Sequence, residues 1–175
     1  KLVNEHFTIQ ELNDAIRQCK TGSAPGADGI SYELIKHLPT KFLEILLNFY
    51  NKIWEHDEYI EEWNNSIILP FYKPGKDKHS PTSYRPISLT PTLCKLNERL
   101  ITNRLTWFLE KNKLFNTNQS AYRKGRCTTD HLARLTDTIN KAIHNKGHAI
   151  AVFFDFSKAF DLVWKPGLIH KIKNL

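Results

Sequence analysis

Eight residues near one end of the chain, Ala149-Ile150-Ala151-Val152-Phe153-Phe154-Asp155-Phe156, constrain the fold more than any other stretch. They are apolar at odd and even positions alike, so neither face of a strand made from them suits water. The run predicts a buried β-strand that carries one carboxylate, Asp155, close to its C-terminal end. Desolvating a carboxylate is costly unless it has a partner. Strand alternation puts Asp155 on the face of Ala149 and Ala151, whose small side chains leave room beside it. From the residues alone two roles are open to it. One is to cap a helix starting near Ser157; the other is to bind a hard cation such as Mg2+ at a sheet edge, with phosphate oxygens as further ligands.

The rest of the chain reads mainly as helix. Thr8 with Glu11 three residues on is a capping-box pattern, and Leu12, Ala15, Ile16 and Cys19 follow at helical spacing. Ser23-Ala24-Pro25-Gly26-Ala27-Asp28-Gly29 is a turn-rich loop, followed by a short helix from about Ser31 to before Pro39. Residues 40–56 predict a helix with a broad apolar face. The pattern changes at Trp63: Ser66–Tyr72 and Arg85–Leu89 predict two short strands joined by the basic loop Lys73-Pro74-Gly75-Lys76-Asp77-Lys78. Thr90 as N-cap with Pro91 at the first helical position opens the next helix, striped by Leu93, Leu96, Leu100, Ile101 and Phe108, with Lys95, Arg99 and Arg104 elsewhere on its circumference. After a loop at 119–126, a helix carrying Leu132, Leu135, Ile139, Ala142 and Ile143 closes at Gly147. The predicted fold class is α+β, mostly helical with a small antiparallel sheet.

Composition narrows the function classes. With 41% hydrophobic and 25% charged residues the chain can build a core and is not of disordered type. No apolar run approaches the roughly 18 residues that span a bilayer, so no membrane role is expected. Cys19, Cys94 and Cys127 are few, odd in number and far apart, which suits a reducing compartment; Cys127 and His131 without further ligands make no zinc site. The charge is unevenly spread. Residues 1–62 carry six Lys/Arg against eleven Asp/Glu, a net of −5, whereas residues 63–175 carry nineteen against seven, a net of +12. Such an asymmetry suits a polyanion partner on one part of the chain, or a solvated basic surface. The absence of methionine, and a last stretch (Lys171–Leu175) that stops inside a helical pattern without a cap, lead us to expect a piece of a larger protein.

Several segments, taken in order, resemble one family. Phe153-Phe154-Asp155-Phe156-Ser157-Lys158-Ala159-Phe160-Asp161 resembles the first palm motif of reverse transcriptases from non-LTR (LINE-type, jockey-like) retrotransposons. Ser23–Ile30 looks like a loop before the fingers that is characteristic of these enzymes, and it argues against an intron-type or telomerase-like relative. Ile67-Ile68-Leu69-Pro70 with Lys73–Asp77 and Ser83–Leu89 is similar to their first fingers motif, and Gln119–Arg126 with Asp130 to their second.

The resemblance implies right-hand polymerase fingers with the first part of the palm. Residues 1–62 would be an N-terminal extension and helical fingers segment, 63–147 the fingers and 148–175 the start of the palm, with the rest of the palm and the thumb absent. It implies an RNA-directed DNA polymerase (a nucleotidyltransferase) that works with an RNA template, a DNA primer, dNTPs and two Mg2+ ions, in the nucleus and cytoplasm. Asp155 would be the first of three metal-holding carboxylates, joined by the backbone carbonyl of Phe156. Phe160 would block a ribose 2′-hydroxyl. Lys73 and Arg85 would grip the dNTP triphosphate, with Lys76 and Lys78 as rivals to Lys73. Gln119, Arg123, Lys124 and Arg126 would contact template or nucleic-acid backbone; Lys124 and Arg126 equally suit solvated loop charge. Asp130 and Asp161 suit structural pairing better than metal binding. No two aspartates are adjacent anywhere in the chain, so the family's paired-aspartate hairpin is missing and this chain by itself is expected to be inactive. The alternative is a non-enzymatic nucleic-acid-binding remnant of a decayed element.

Overall fold

The computed structural model describes residues 4–174. They hold six α-helices and one two-stranded antiparallel sheet, an α+β composition that is mostly helical. Two compact units divide the chain, Lys1–Phe108 and Leu109–Leu175. Lys1 and Leu175, at the ends discussed above, lie outside the described residues.

The first unit opens with α1 (Ile9–Gln18), and its capping box is complete: the Glu11 N–H donates to Thr8 Oγ1, and Thr8 N–H to Glu11 Oε2 at 2.8 Å. Helix α2 (Tyr32–Lys36) is capped by Ser31, and α3 (Thr40–His56) follows Pro39. Leu12 and Ala15 of α1, Ile35 of α2 and Tyr50 of α3 are completely or almost completely buried together with Leu96 and Leu100 of α4 (Thr92–Lys111). Burial also shapes the chemistry of this core. It holds the Tyr50 phenol, which donates to the Leu93 carbonyl at 2.9 Å, well above the usual tyrosine range, and pushes the Cys94 thiol up to about 11. Neither group ionises near neutral pH.

Helix α4 departs from the sequence reading in two ways. Its first acceptor is the Pro91 carbonyl, which takes the Lys95 N–H at 3.1 Å, so the helix starts later than a Thr90 cap implies. Its terminal charge comes from far away: Asp28 Oδ2 accepts the Thr92 N–H at 3.1 Å, putting a carboxylate on the positive end of the helix. Arg104 is the second departure. It continues the line of Leu96 and Leu100 at four-residue spacing, so it lies on the buried face with 9% exposure. There its guanidinium forms a fork with the Glu11 carboxylate at 2.7 and 2.9 Å, donates to the backbone carbonyls of Glu5 and His6, and stacks 4.3 Å from the Phe7 ring.

The loop that delivers Asp28 is seated by Gly26. A Cβ there would lie 2.5 Å from the Thr90 carbonyl carbon and 2.6 Å from Pro91 N, and these are backbone atoms that yield only if the chain moves. Gly26→Ala is therefore expected to destabilise the protein by about 1–3 kcal/mol, measured as a lower denaturation midpoint at unchanged m-value. An unaltered midpoint would show that the loop does not dock on α4.

The strands are β1 (Ile67–Tyr72) and β2 (Tyr84–Leu89), paired in a register that sets Ile67 opposite Leu89 and Tyr72 opposite Tyr84. In the second unit, α5 (Thr128–His144) ends in a Schellman motif: Gly147 N–H donates to the Ala142 carbonyl at 2.8 Å and Lys146 N–H to that of Ile143 at 2.9 Å. Lys146, at φ +52°, takes the left-handed position expected of Gly147. Helix α6 (Lys165–Lys173) has a C-terminal cap after all, because the Asn174 amide donates to the His170 carbonyl at 2.8 Å.

The largest correction concerns residues 149–156. They form no strand, and Ile150, Val152, Phe153, Phe154 and Phe156 are all exposed. A strand exists by virtue of ladder bonds to a neighbour, and among the described residues the only such ladder joins β1 and β2. Apolarity sets the demand for burial; it does not supply the surface that meets it. No helix starts at Ser157 either: residues 157–162 are turns.

Candidate functional site

The hairpin β1–β2 brings two of the candidate residues together. Its ladder continues one step past β1, where Lys73 N–H donates to the Ser83 carbonyl at 2.7 Å. Phe71 pairs with Arg85, so Lys73 and Arg85 sit on adjacent rungs of one face of the ribbon. The Lys73 ammonium donates to the Thr82 carbonyl at 2.8 Å, and the exposed Arg85 guanidinium has no hydrogen bond or ion pair among the described residues. Lys78 belongs to the other face, 5.7 Å from the centre of the Tyr72 ring, and Tyr72 packs on Tyr84 with centroids 5.7 Å apart. The Lys78 carbonyl accepts the Tyr84 hydroxyl at 3.0 Å and that of Lys76 the Tyr72 hydroxyl, which ties the basic loop back on the strands.

The second cluster lies in the other unit, on the loop between α4 and α5. Tyr122, Arg123, Lys124, Arg126, Cys127 and His131 line a cavity of about 390 Å³ there. Lys124 and Arg126 are exposed, and their side chains have no hydrogen bond or ion pair among the described residues. Arg123 differs from both. Its Nε and Nη2 donate to the two Glu110 carboxylate oxygens at 2.8 and 2.7 Å, and Nη1 donates to the carbonyls of Asn116 at 3.1 Å and Gln119 at 3.3 Å. That hydrogen bonding holds the Glu110 carboxyl below the usual range and raises the Arg123 guanidinium further still. The Gln119 amide donates to the Ala121 carbonyl at 3.2 Å. Asp130 is a helix-capping residue, accepting the Cys127 N–H at 3.0 Å at the start of α5.

Asp155, Phe156 and Phe160 lie further along the same unit. Asp155 is exposed and makes no hydrogen bond or ion pair among the described residues, and the Phe156 backbone belongs to the same irregular segment. Phe160 sits in the turn at 157–162, its ring edge-on to Tyr122 with centroids 6.3 Å apart. Among the described residues no group of three or more His, Cys, Asp or Glu side chains could hold a metal ion. Glu110 is the site residue that the sequence reading missed. Its one signal was an acid in the last turn of a helix, where the macrodipole disfavours negative charge unless a cation stands beside it.

Comparison with known proteins gives these clusters a common context. The family described as "Reverse transcriptase (RNA-dependent DNA polymerase)" matches residues 73–175. The chain is 38% identical over 167 residues to the probable RNA-directed DNA polymerase from transposon BS of Drosophila melanogaster, 95% of this chain and 18% of that protein. It is 34% identical to the RNA-directed DNA polymerase from mobile element jockey and 35% identical to the probable polymerase from transposon X-element, both of Drosophila melanogaster, over 96% of this chain and 18% of each relative. It thus spans under one-fifth of the length of these relatives. This chain belongs to the reverse transcriptase family, as a segment of a domain related to the polymerases of the jockey, BS and X-element non-LTR retrotransposons.

Proposed function

We propose that the chain is part of an RNA-directed DNA polymerase of a non-LTR retrotransposon, working in the nucleus and cytoplasm, in which it binds template–primer and dNTP and contributes the first metal-binding carboxylate, Asp155. The observation that carries this reading is the shared face of Lys73 and Arg85 on the β1–β2 ribbon. Two cations on adjacent rungs suit one triphosphate, and they favour Lys73 over Lys78, whose ammonium belongs to the opposite face. The net charge of +12 over residues 63–175 supports a nucleic-acid partner for the same stretch. No helix is long and apolar enough to cross a membrane among the described residues.

Reverse transcriptases depend in general on divalent metal ions, which here would need carboxylates beyond Asp155. In this reading Asp155 supplies one of them, the Phe156 carbonyl stands beside it, and Phe160 on the following turn is the residue that excludes a ribose 2′-hydroxyl. Gln119, Lys124 and Arg126 contact template or its backbone. Residues outside this sequence complete the site, so the 175-residue chain alone is inactive.

Binding can be tested on the chain as it stands. Anisotropy titrations with an RNA–DNA primer–template duplex should give an affinity that falls roughly 10–100-fold for a fourfold rise in salt, the dependence of two to four phosphate contacts. Affinity indifferent to salt would reduce the basic residues to solvated surface.

A further inference from the structure

We propose that Glu110 and Arg123 form a positioning pair that fixes the basic loop at 119–126, and that Arg123 acts by holding this loop in shape and not by neutralising a phosphate. The inference rests on the reading that the chain binds nucleic acid and assigns the residue that makes its loop competent. Three features of the geometry carry it. The Arg123 guanidinium uses both arms of its fork on Glu110 and its remaining Nη on two backbone carbonyls, Asn116 and Gln119, which lie three residues apart. It also lies 5.1 Å from the Phe115 ring, and the side chain is 12% exposed, so little of it is left to meet a ligand. Beside it, Tyr122 at φ +60° and Gly125 at φ +73° turn the backbone through left-handed conformations. Glycine takes such a conformation freely, but Tyr122, with its Cβ, holds it only where the surroundings fix the loop. Glu110 provides an anchor from the last turn of α4, a place that its own charge disfavours. Lys124 and Arg126 are thereby left exposed on either side of Gly125, with no hydrogen bond or ion pair among the described residues.

The pair makes a prediction whose sign separates it from the simpler alternatives. Removing an acid from a basic surface should strengthen binding to a polyanion if Glu110 is only a surface charge. If it is the anchor, Glu110→Gln weakens binding. The experiment measures affinity of the 175-residue chain for an RNA–DNA duplex across a salt series, for wild type, E110Q, R123Q, K124Q and the charge exchange E110R/R123E. Thermal melts and amide hydrogen exchange are recorded on each protein.

Expected are a loss of at least about threefold in affinity for E110Q and R123Q at unchanged salt slope, and a slope reduced by about 0.7–0.9 for K124Q, the loss of one phosphate contact. Faster exchange at 119–126 in E110Q and R123Q, and partial recovery of affinity in the charge exchange, whose carboxylate at position 123 can meet the guanidinium at 110 but cannot donate to the Asn116 and Gln119 carbonyls, complete the expected pattern. Tighter binding by E110Q, a slope reduced in R123Q as in K124Q, or unchanged loop exchange in a folded E110Q would overturn the proposal. Should R123Q fail to fold, the sign of the E110Q effect and the charge-exchange recovery decide the matter. A wild-type chain without salt-dependent binding would overturn the functional reading first, and this inference with it.

Discussion

If the proposed role of Asp155 holds, its replacement with alanine in a longer protein that carries a complete polymerase region is expected to slow primer extension at least about 1,000-fold. Template–primer affinity should change by less than about threefold, because Asp155 is an acid and takes no part in phosphate neutralisation. Single-turnover extension with saturating dNTP separates the two quantities. An Asp155→Ala protein that keeps its rate would remove Asp155 from the chemistry. One that loses affinity and rate together would make it a structural residue instead. The exposed position of Asp155, with no bond to other described residues, already distinguishes it from Asp28 and Asp130, whose carboxylates are both engaged at helix N-termini.

The second large effect concerns stability. Arg104→Ala removes a guanidinium that joins α4 to the Glu11 carboxylate and to the carbonyls of Glu5 and His6. It should cost about 2–4 kcal/mol, below the full figure for a sealed pair because Glu11 keeps some contact with water. The pH dependence has a definite sign. Hydrogen bonding to Arg104, foremost, holds the folded Glu11 carboxyl below its usual value. As pH falls, the unfolded chain takes up that proton first, so the stabilisation is fully present above the unfolded carboxylate range and is lost as pH drops through the folded value. Urea denaturation at several pH values between neutral and acid should show the gap between wild type and Arg104→Ala narrowing toward acid. A gap of constant size would assign the effect to the packing of Arg104 on Phe7 and its bonds to the Glu5 and His6 carbonyls, and not to the Glu11 carboxylate.

Local signals in the sequence were legible because short-range chemistry decides them. Thr8 and Glu11 announced a capping box and form one, and Ser31 and Pro39 bracket α2 and open α3 where expected. The two strands and their basic connection were equally readable from alternation and turn residues. The misses are contacts made at a distance. Asp28 caps a helix 64 positions on, and Arg104 returns to a glutamate 93 positions earlier. No periodicity encodes either pairing; each appears only when the helices have packed. The 149–156 segment fails for a related reason. Its hydrophobicity is plain in the residues, but strand and burial are properties of a neighbour as much as of the segment itself. Of the candidate site residues, the pairing of Lys73 with Arg85 across the hairpin could be read, and the anchoring of Arg123 could not. Arg123 looked like its basic neighbours until Glu110 was seen to hold it.

The most direct measurement of the polymerase reading is primer extension on an RNA template with dNTPs and Mg2+, comparing the 175-residue chain with a longer protein that carries the further palm and thumb regions this proposal calls for. Template-dependent extension by the longer protein, with none by the shorter, is the expected result, since the proposed chemistry needs carboxylates from more than one segment. Extension by the 175-residue chain alone would contradict the incomplete site, and an inert longer protein would contradict the polymerase reading itself.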